Sequence, residues 1–439
     1  MQKNHDRQCP WNLESITTQK SSDASFGKTK YDRSASYAIF ALTFLLCYIA
    51  TRANAIALSD QLAGVFMIST FLLFIKKGIP ITRSTWLFIV GMLILFAENF
   101  FFTVTTFDFK IYLKLLALCV AVIFFIQISK EHFYNALFRI AAALCILSIP
   151  FYCWQIIHPP SLIALAQSIH HITPWLDTGR IHQDVDSLNI FIYTVEVTEN
   201  FRNSGMFWEP GGFASFINIA LTLHLMRNKF VFDKQALLLV GTILTTFSTT
   251  GYVVLFLVLL FSVTNRMVRN TTPALAGIRI FSILLLIGFF SYVFIAAPIF
   301  RDKIDSQLSA QQILIGDIDF NNENFKSLGR FGSLIVDLRS IKDKPIFGRG
   351  YSDSEFKQQF ENYNFTNGLT SFIGHFGLVG FIWLIYSTYA SGSTLLRQQT
   401  PVGRFPIFIT LIVLTISFSN PILLTPLILI FQLHFIAQS

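Results

Sequence analysis

Residues 202–210 read Arg-Asn-Ser-Gly-Met-Phe-Trp-Glu-Pro and stand where a long polar stretch runs into an apolar one. A charge in a membrane helix costs roughly 2.5–3.5 kcal/mol at the centre and less near the interface, so charges at a helix mouth need a reason. Arg202 can hold phosphate through two parallel N–H bonds, and a helix N-terminus beside it adds attraction for anions. The plainer alternative is an interfacial arginine whose head reaches lipid headgroups. Gly205 permits close approach of the backbone to a ligand, and Pro210 suits the first turn of a helix or a kink. Glu209 can take a proton from a hydroxyl, or pair with an arginine as buried charges usually do.

Two further clusters carry similar chemistry. Arg330, Arg339 and the run Pro345-Ile-Phe-Gly-Arg349-Gly350 lie in a long polar segment, with ten residues between Arg339 and Gly350. Several arginines beside a membrane suit a phosphorylated lipid; otherwise the segment is a solvated basic loop balanced by Asp337, Asp343 and Asp353. The third cluster runs from Asn367 to Gly380 and enters an apolar stretch. Its glycines read as close helix packing, and His375 is either a proton carrier or a hydrogen-bonded structural residue. Asp60, Glu98, Lys114 and Arg139 are further charges in apolar stretches, expected to pair or to reach out at helix ends. His170 and His171 are adjacent, a spacing poorly suited to one shared ligand face, and no metal site is expected. None of the five cysteines lies in the two long loops (157–204 and 300–368), so they give no disulfide framework.

Composition says what frame holds these residues. Apolar residues make up 53% of the 439, charged residues only 13%, and Phe alone fills 48 positions. Soluble domains carry about 25% charged residues, so this is an all-α, polytopic membrane protein. The net charge of +8 then reflects basic loops rather than nucleic acid, which is not expected as a partner. Residues 1–35 are too long and polar for a signal peptide and read as a cytoplasmic tail.

Apolar runs fall near 36–56, 57–75, 86–106, 111–129, 134–156, 205–226, 235–248, 249–264, 277–299, 369–389, 405–419 and 421–437. That predicts about twelve helices across a roughly 30 Å core. The pairs split at Ser248–Gly251 and at Ser419-Asn420-Pro421 are each two helices, one bent span or a re-entrant pair. Lys76, Lys77 and Arg83, then Arg227, Lys229 and Lys234, make the even-numbered connections basic, which places both chain ends in the cytoplasm. The division is thus a tail (1–35), helices 1–5 (36–156), an outward loop (157–204), helices 6–9 (205–299), a large outward loop (300–368) and helices 10–12 (369–439). Within the large loop, residues 329–342 carry Phe331, Leu334, Ile335, Leu338 and Ile341 at helical spacing, as expected of a helix lying on the membrane.

In this order the three clusters resemble the bacterial O-antigen polymerase and ligase superfamily. Arg202-x-x-Gly205-x-Phe207-x-Glu209-Pro210 is similar to its motif at the start of a mid-chain helix. Gly329-Arg330 followed by Pro345–Gly350 is similar to the second, and Asn367 with Gly377-Leu-Val-Gly380 to the third. The resemblance implies a GT-C-like membrane enzyme of the inner membrane, its two long loops periplasmic. It implies glycosyl transfer between undecaprenyl-diphosphate-linked glycans, donor and acceptor alike, without metal, cofactor or nucleotide sugar. Arg202, Arg330 and Arg339 would clamp the leaving diphosphate and Glu209 would act as base. Gly205, Arg349, Gly350 and Asn367 would bind substrate. Membrane lipids are partners on this reading, and a chain-length regulator is compatible with it. Ligases of the superfamily commonly carry His before the asparagine matched by Asn367, and here Thr366 stands there, which favours polymerase over ligase. A transporter or flippase of an anionic amphiphile is the reading from a different class, but the polar residues collect in two loops rather than along several helices.

Overall fold

The computed structural model describes residues 33–102, 109–130, 132–173, 187–197, 201–268, 283–288, 290–292, 327–328, 330–350, 364–365, 367–399 and 405–438. Residues 1–38 form one unit, described only over the first residues of helix α1, and residues 39–439 form the other. Residues 1–32, including most of the tail, lie outside the described residues.

Each apolar run that is described folds as helix. Helix α1 spans Arg33–Thr51, and the chain then breaks at Arg52, which has φ +49°. Asn54 restarts it by accepting from the Ala57 N–H, opening the single turn α2 (Ala55–Leu58). Ser59 caps α3 (Asp60–Lys77), and Gly78, at φ +61°, closes it in the left-handed conformation that glycine takes without strain. Helices α4 (Arg83–Phe102), α5 (Phe109–Ser129) and α6 (His132–Ile157) follow. After the first long connection come α8 (Pro210–Arg227), α9 (Lys234–Thr245) and α10 (Thr249–Val268). Of the expected span 277–299 only 283–288 and 290–292 are described, and they are helical.

Three described helices are long and apolar enough to cross a membrane: Phe109–Ser129, His132–Ile157 and Gly368–Leu395. The others are shorter or less apolar and pack around them. Helix α8 is buried along nearly its whole length, as a helix apolar all round should be, between α6, α9 and α10. Asn218 spans the α8–α10 contact by donating to the Gly251 carbonyl (3.0 Å), and a Cβ on Gly251 would sit 2.5 Å from Ala214. Phenylalanine fills the remaining core, as in the stacked pairs Phe74–Phe124 (3.9 Å between centroids) and Phe261–Phe408 (4.1 Å). Asp60 of α3 and Lys114 of α5 pair with each other, one of the outcomes expected of charges in apolar stretches.

Both breaks predicted within apolar pairs separate distinct helices. Helix α9 has 12 residues, and the last helix, Pro426–Gln438, has 13. At 1.5 Å per residue these reach about 18–20 Å, short of a roughly 30 Å hydrocarbon core. Helix α8 also starts later than expected, at Pro210 rather than 205, because proline in the first turn lacks only an N–H that would go unpaired there.

The long connections carry structure that apolar periodicity does not show. In the first, His158 caps an amphipathic helix, α7 (Pro159–Ile172), followed by the antiparallel hairpin β1 (Ser187–Asn189) and β2 (Thr194–Glu196). Leu162, Ala166, Ile190, Tyr193 and Val195 give this piece its own small core against Tyr152 of α6. In the second, a short parallel pair, β3 (Ser327–Leu328) and β4 (Asn364–Phe365), flanks helix α11 (Arg330–Asp343). Helix α11 is the helix expected over 329–342, and the side that it packs inward is a partly polar one. Ser333, Val336 and Asp337 are buried and Leu338 is exposed, since α11 packs on the next helix, α12 (Gly368–Gln399). Helices α13 (Phe405–Ser419) and α14 (Pro426–Gln438) complete the chain.

Candidate functional site

Residues 201–209 form a compact turn held from three sides. Asn203 is fully buried; its backbone N–H donates to the Thr245 carbonyl (3.1 Å), and its amide donates to Thr245 (2.9 Å) and Ser148 (3.2 Å). Its side-chain oxygen accepts from Gly205 N–H (3.0 Å), and Phe207 N–H donates to Ser204 (2.9 Å), closing the turn. Gly205 has φ +49°, and a Cβ there would meet the Phe213 ring at 2.6–2.8 Å. The close approach that Gly205 allows in this structure is to Phe213 of the same chain. Trp208 N–H donates to Thr51, joining the turn to the end of α1.

This turn and the β-hairpin fix Arg202. Its Nε and Nη2 donate to the two carboxylate oxygens of Glu196 at 3.2 and 2.9 Å, the fork-on-fork pairing that suits guanidinium and carboxylate. Glu196 ends β2 and is buried, its carbonyl held by Gln155 (3.2 Å), while the Arg202 side chain keeps 26% of its surface exposed. A guanidinium has five N–H donors. Two serve Glu196, and the other three are not used in that pairing. Burial pushes the Glu196 carboxyl above the usual glutamate range; the Arg202 charge and hydrogen bonds pull it back, and the nearby Glu209 charge pushes it up again.

Glu209 is the N-cap residue of α8, but its side chain makes no cap bond. It faces the break between α13 and α14 instead. With its amide turned to satisfy the surrounding groups, Asn420 donates to the Glu209 carboxylate and to Ser419 (3.1 Å), and accepts from Ser215 (3.2 Å). Arg52 donates to the neighbouring Pro421 carbonyl (3.1 Å). On the other side of the same break, a Cβ on Gly368 would meet Pro421 Cα at 2.6 Å, so the start of α12 lies against it.

The second and third motifs interlock there. Helix α12 is kinked at Gly377 (φ +62°, ψ −161°), which frees backbone groups on both sides. The segment 345–350 takes them up: Arg349 and Gly350 N–H donate to Gly374 (2.9 Å) and His375 (3.0 Å), while Leu378 and Val379 donate to Pro345 (2.9 Å) and Ile346 (3.1 Å). A Cβ on Gly348 would meet the backbone of His375 and Gly377 at 2.6 Å, which is why glycine stands there. Arg349 is buried and donates to Asp337 of α11 (3.1 Å), which also accepts from Thr370 (2.8 Å). Burial raises the Asp337 carboxyl despite the Arg349 charge and these hydrogen bonds. Asn367 is buried and caps α12 by accepting from the Thr370 N–H (3.2 Å).

Three sequence motifs thus meet around the adjacent starts of α8 and α12. Arg202 and Glu209 belong to the turn before α8; Arg349 and Gly350 bond to α12 near its kink, and Asn367 caps its start. Arg330 opens α11 and Arg339 lies along it, and their side chains fall outside the described residues, as do Gly329, Asp353 and Thr366. His375 donates from Nδ1 to the Ser371 carbonyl at 2.5 Å, a hydrogen-bonded helix position. Glu196 has no place in the sequence reading, Asn203 enters it only within the run 202–210, and Asp337 only as a counter-charge of a solvated loop. The polar break Ser419-Asn420-Pro421 is read there as a helix boundary and not as part of a site. Comparison with protein-family models, with curated proteins and with solved structures gives no match for this chain.

Proposed function

We propose that this chain is a polymerase of undecaprenyl-diphosphate-linked oligosaccharide repeat units, working at the periplasmic face of a bacterial inner membrane. It would span the membrane about twelve times, with both ends cytoplasmic. The observation that carries the reading is the meeting of residues 202–210, 337–350 and 367–377 around the starts of α8 and α12. Two helix N-termini there present the positive ends of their dipoles to one place.

In the proposed reaction the donor's anomeric C–O bond breaks and both electrons leave on the diphosphate. The outward N–H groups of Arg202 stabilise that growing charge without having to reorganise, since Glu196 already fixes the guanidinium plane. Arg330 and Arg339 of α11 are the further cations proposed for the diphosphate. The acceptor hydroxyl oxygen bonds to the anomeric carbon, and its proton passes to Glu209, whose carboxylate Asn420 orients. Arg349, Gly350 and Asn367 act by holding α11, α12 and the kink in place.

The test is purified full-length chain in vesicles with a lipid-linked repeat unit as the one substrate. A ladder of longer lipid-linked products is expected. Transfer only onto an added lipid A core acceptor would replace polymerase by ligase, and movement of substrate across the bilayer with no new glycosidic bond would replace both by a transporter.

A further inference from the structure

At the opposite ends of α6 and α8 from the Arg202 turn lies a polar cavity of about 410 Å3. Its walls include Tyr134, Asn135 and Arg139 from the first turns of α6, and His224 and Arg227 from the last turn of α8, with Gln235 from the start of α9. The imidazole of His224 stacks on Phe138 at 4.0 Å and 9°, giving the cavity a flat, rigid side. Two arginines and a histidine line it, and no Asp or Glu does. Among the described residues Asp233, next to His224, is engaged by His224 (3.0 Å), Asn228 (3.0 Å) and the Ala236 N–H (2.8 Å). Arg227 donates to Asn135, which turns its head toward α6. Among the described residues Arg139 has no carboxylate within ion-pairing distance.

Two guanidinium groups left facing one cavity repel each other unless an anion lies between them. Arginine forks match phosphate oxygens, and asparagine, glutamine and tyrosine supply neutral donors for the remaining oxygens. We infer that this cavity binds a phosphate anion between Arg139 and Arg227. The size suits a phosphate with a small substituent, as well as phosphate alone. In the orientation proposed above this end faces the cytoplasm, where anionic lipids and free phosphate are both at hand. The inference itself does not depend on glycan chemistry, so it stands or falls separately from the proposed function.

The experiment measures lipid retention by native mass spectrometry on the full chain released from mixed phosphatidylglycerol and phosphatidylcholine nanodiscs. Wild type is expected to retain one phosphatidylglycerol in preference to phosphatidylcholine. Each of Arg139→Gln and Arg227→Gln should weaken retention roughly five- to tenfold. Unchanged thermal unfolding in phosphatidylcholine alone shows that the variants fold. Should a variant not fold, protection of Arg139 and Arg227 from phenylglyoxal in wild type gives the same answer. Retention that persists in millimolar inorganic phosphate identifies a lipid headgroup as the source, and displacement of lipid with equal protection by phosphate identifies the free anion. Equal retention of both lipids with no protection by phosphate, or retention unchanged in folded variants, overturns the inference.

Discussion

Two arginine–carboxylate pairs stand within the same meeting of motifs, and they do opposite jobs. Arg349 and Asp337 are sealed, with side-chain exposures of 5% and 0%. The guanidinium lies against Gly374 and the carboxylate is completed by Thr370. Arg202 and Glu196 are lopsided: the acid is 3% exposed and the arginine 26%. A sealed pair can only hold elements together, here α11 to the kinked α12. A pair with one open edge holds a cation still while leaving it donors to offer. Residue type does not separate the two roles; the depth of the arginine does.

The largest effect should come from breaking the sealed pair. Arg349→Ala leaves Asp337 buried without its cation, a loss of about 3–5 kcal/mol that should show as lost folded protein or a sharply lower thermal midpoint. Adding Asp337→Asn should recover part of it, because no orphaned charge remains; no recovery would show that the pair is not what holds α11. Next is Glu209→Gln, expected to slow elongation about a hundredfold with unchanged unfolding if Glu209 is the base. Unchanged elongation removes it from the chemistry. Glu196→Gln keeps the shape of the open pair but loses its charge, and elongation should fall about tenfold as Arg202 loses its fixed plane.

The smallest effect is on pH. Burial raises the Glu196 carboxyl above its ordinary value of 4.5, so the folded state binds that proton more tightly than the unfolded chain. Between neutral pH and 4.5 this group therefore makes the fold more stable as pH falls, while elongation declines as Arg202 loses its anion. Glu196→Gln should flatten both trends. A wild-type elongation rate that stays level across that window would mean that Glu196 ionisation does not position Arg202.

Much of the frame was legible in the sequence because apolar runs and polar breaks are local signals. Pro210 marks the start of α8, and Ser248 and Asn420 lie at real breaks. The spacing over 329–342 gave α11 and its apolar residues but not its packed side, where Asp337 meets Thr370 of α12 and Arg349 of the segment 345–350. Arg202 and Glu209 were visible as charges at a helix mouth. Their partners were not, because Glu196 reaches Arg202 through a hairpin too short to show periodicity, and Asn420 reaches Glu209 across more than 200 positions. Gly377 was read as a packing residue, and it packs closely, but the helix break that it makes with Gly348 appears only when both segments are seen together.

The central claim is that Arg202 is the arginine that meets the ligand. The direct measurement is elongation of a lipid-linked repeat unit by purified Arg202→Ala and Arg202→Lys, each matched to wild type in amount and thermal midpoint. Loss of the product ladder by more than a hundredfold in the alanine variant, with weak rescue by lysine, is the predicted result, since a point charge cannot reproduce a fixed fork. A full ladder from both folded variants would contradict the claim and leave the open pair as one more strut.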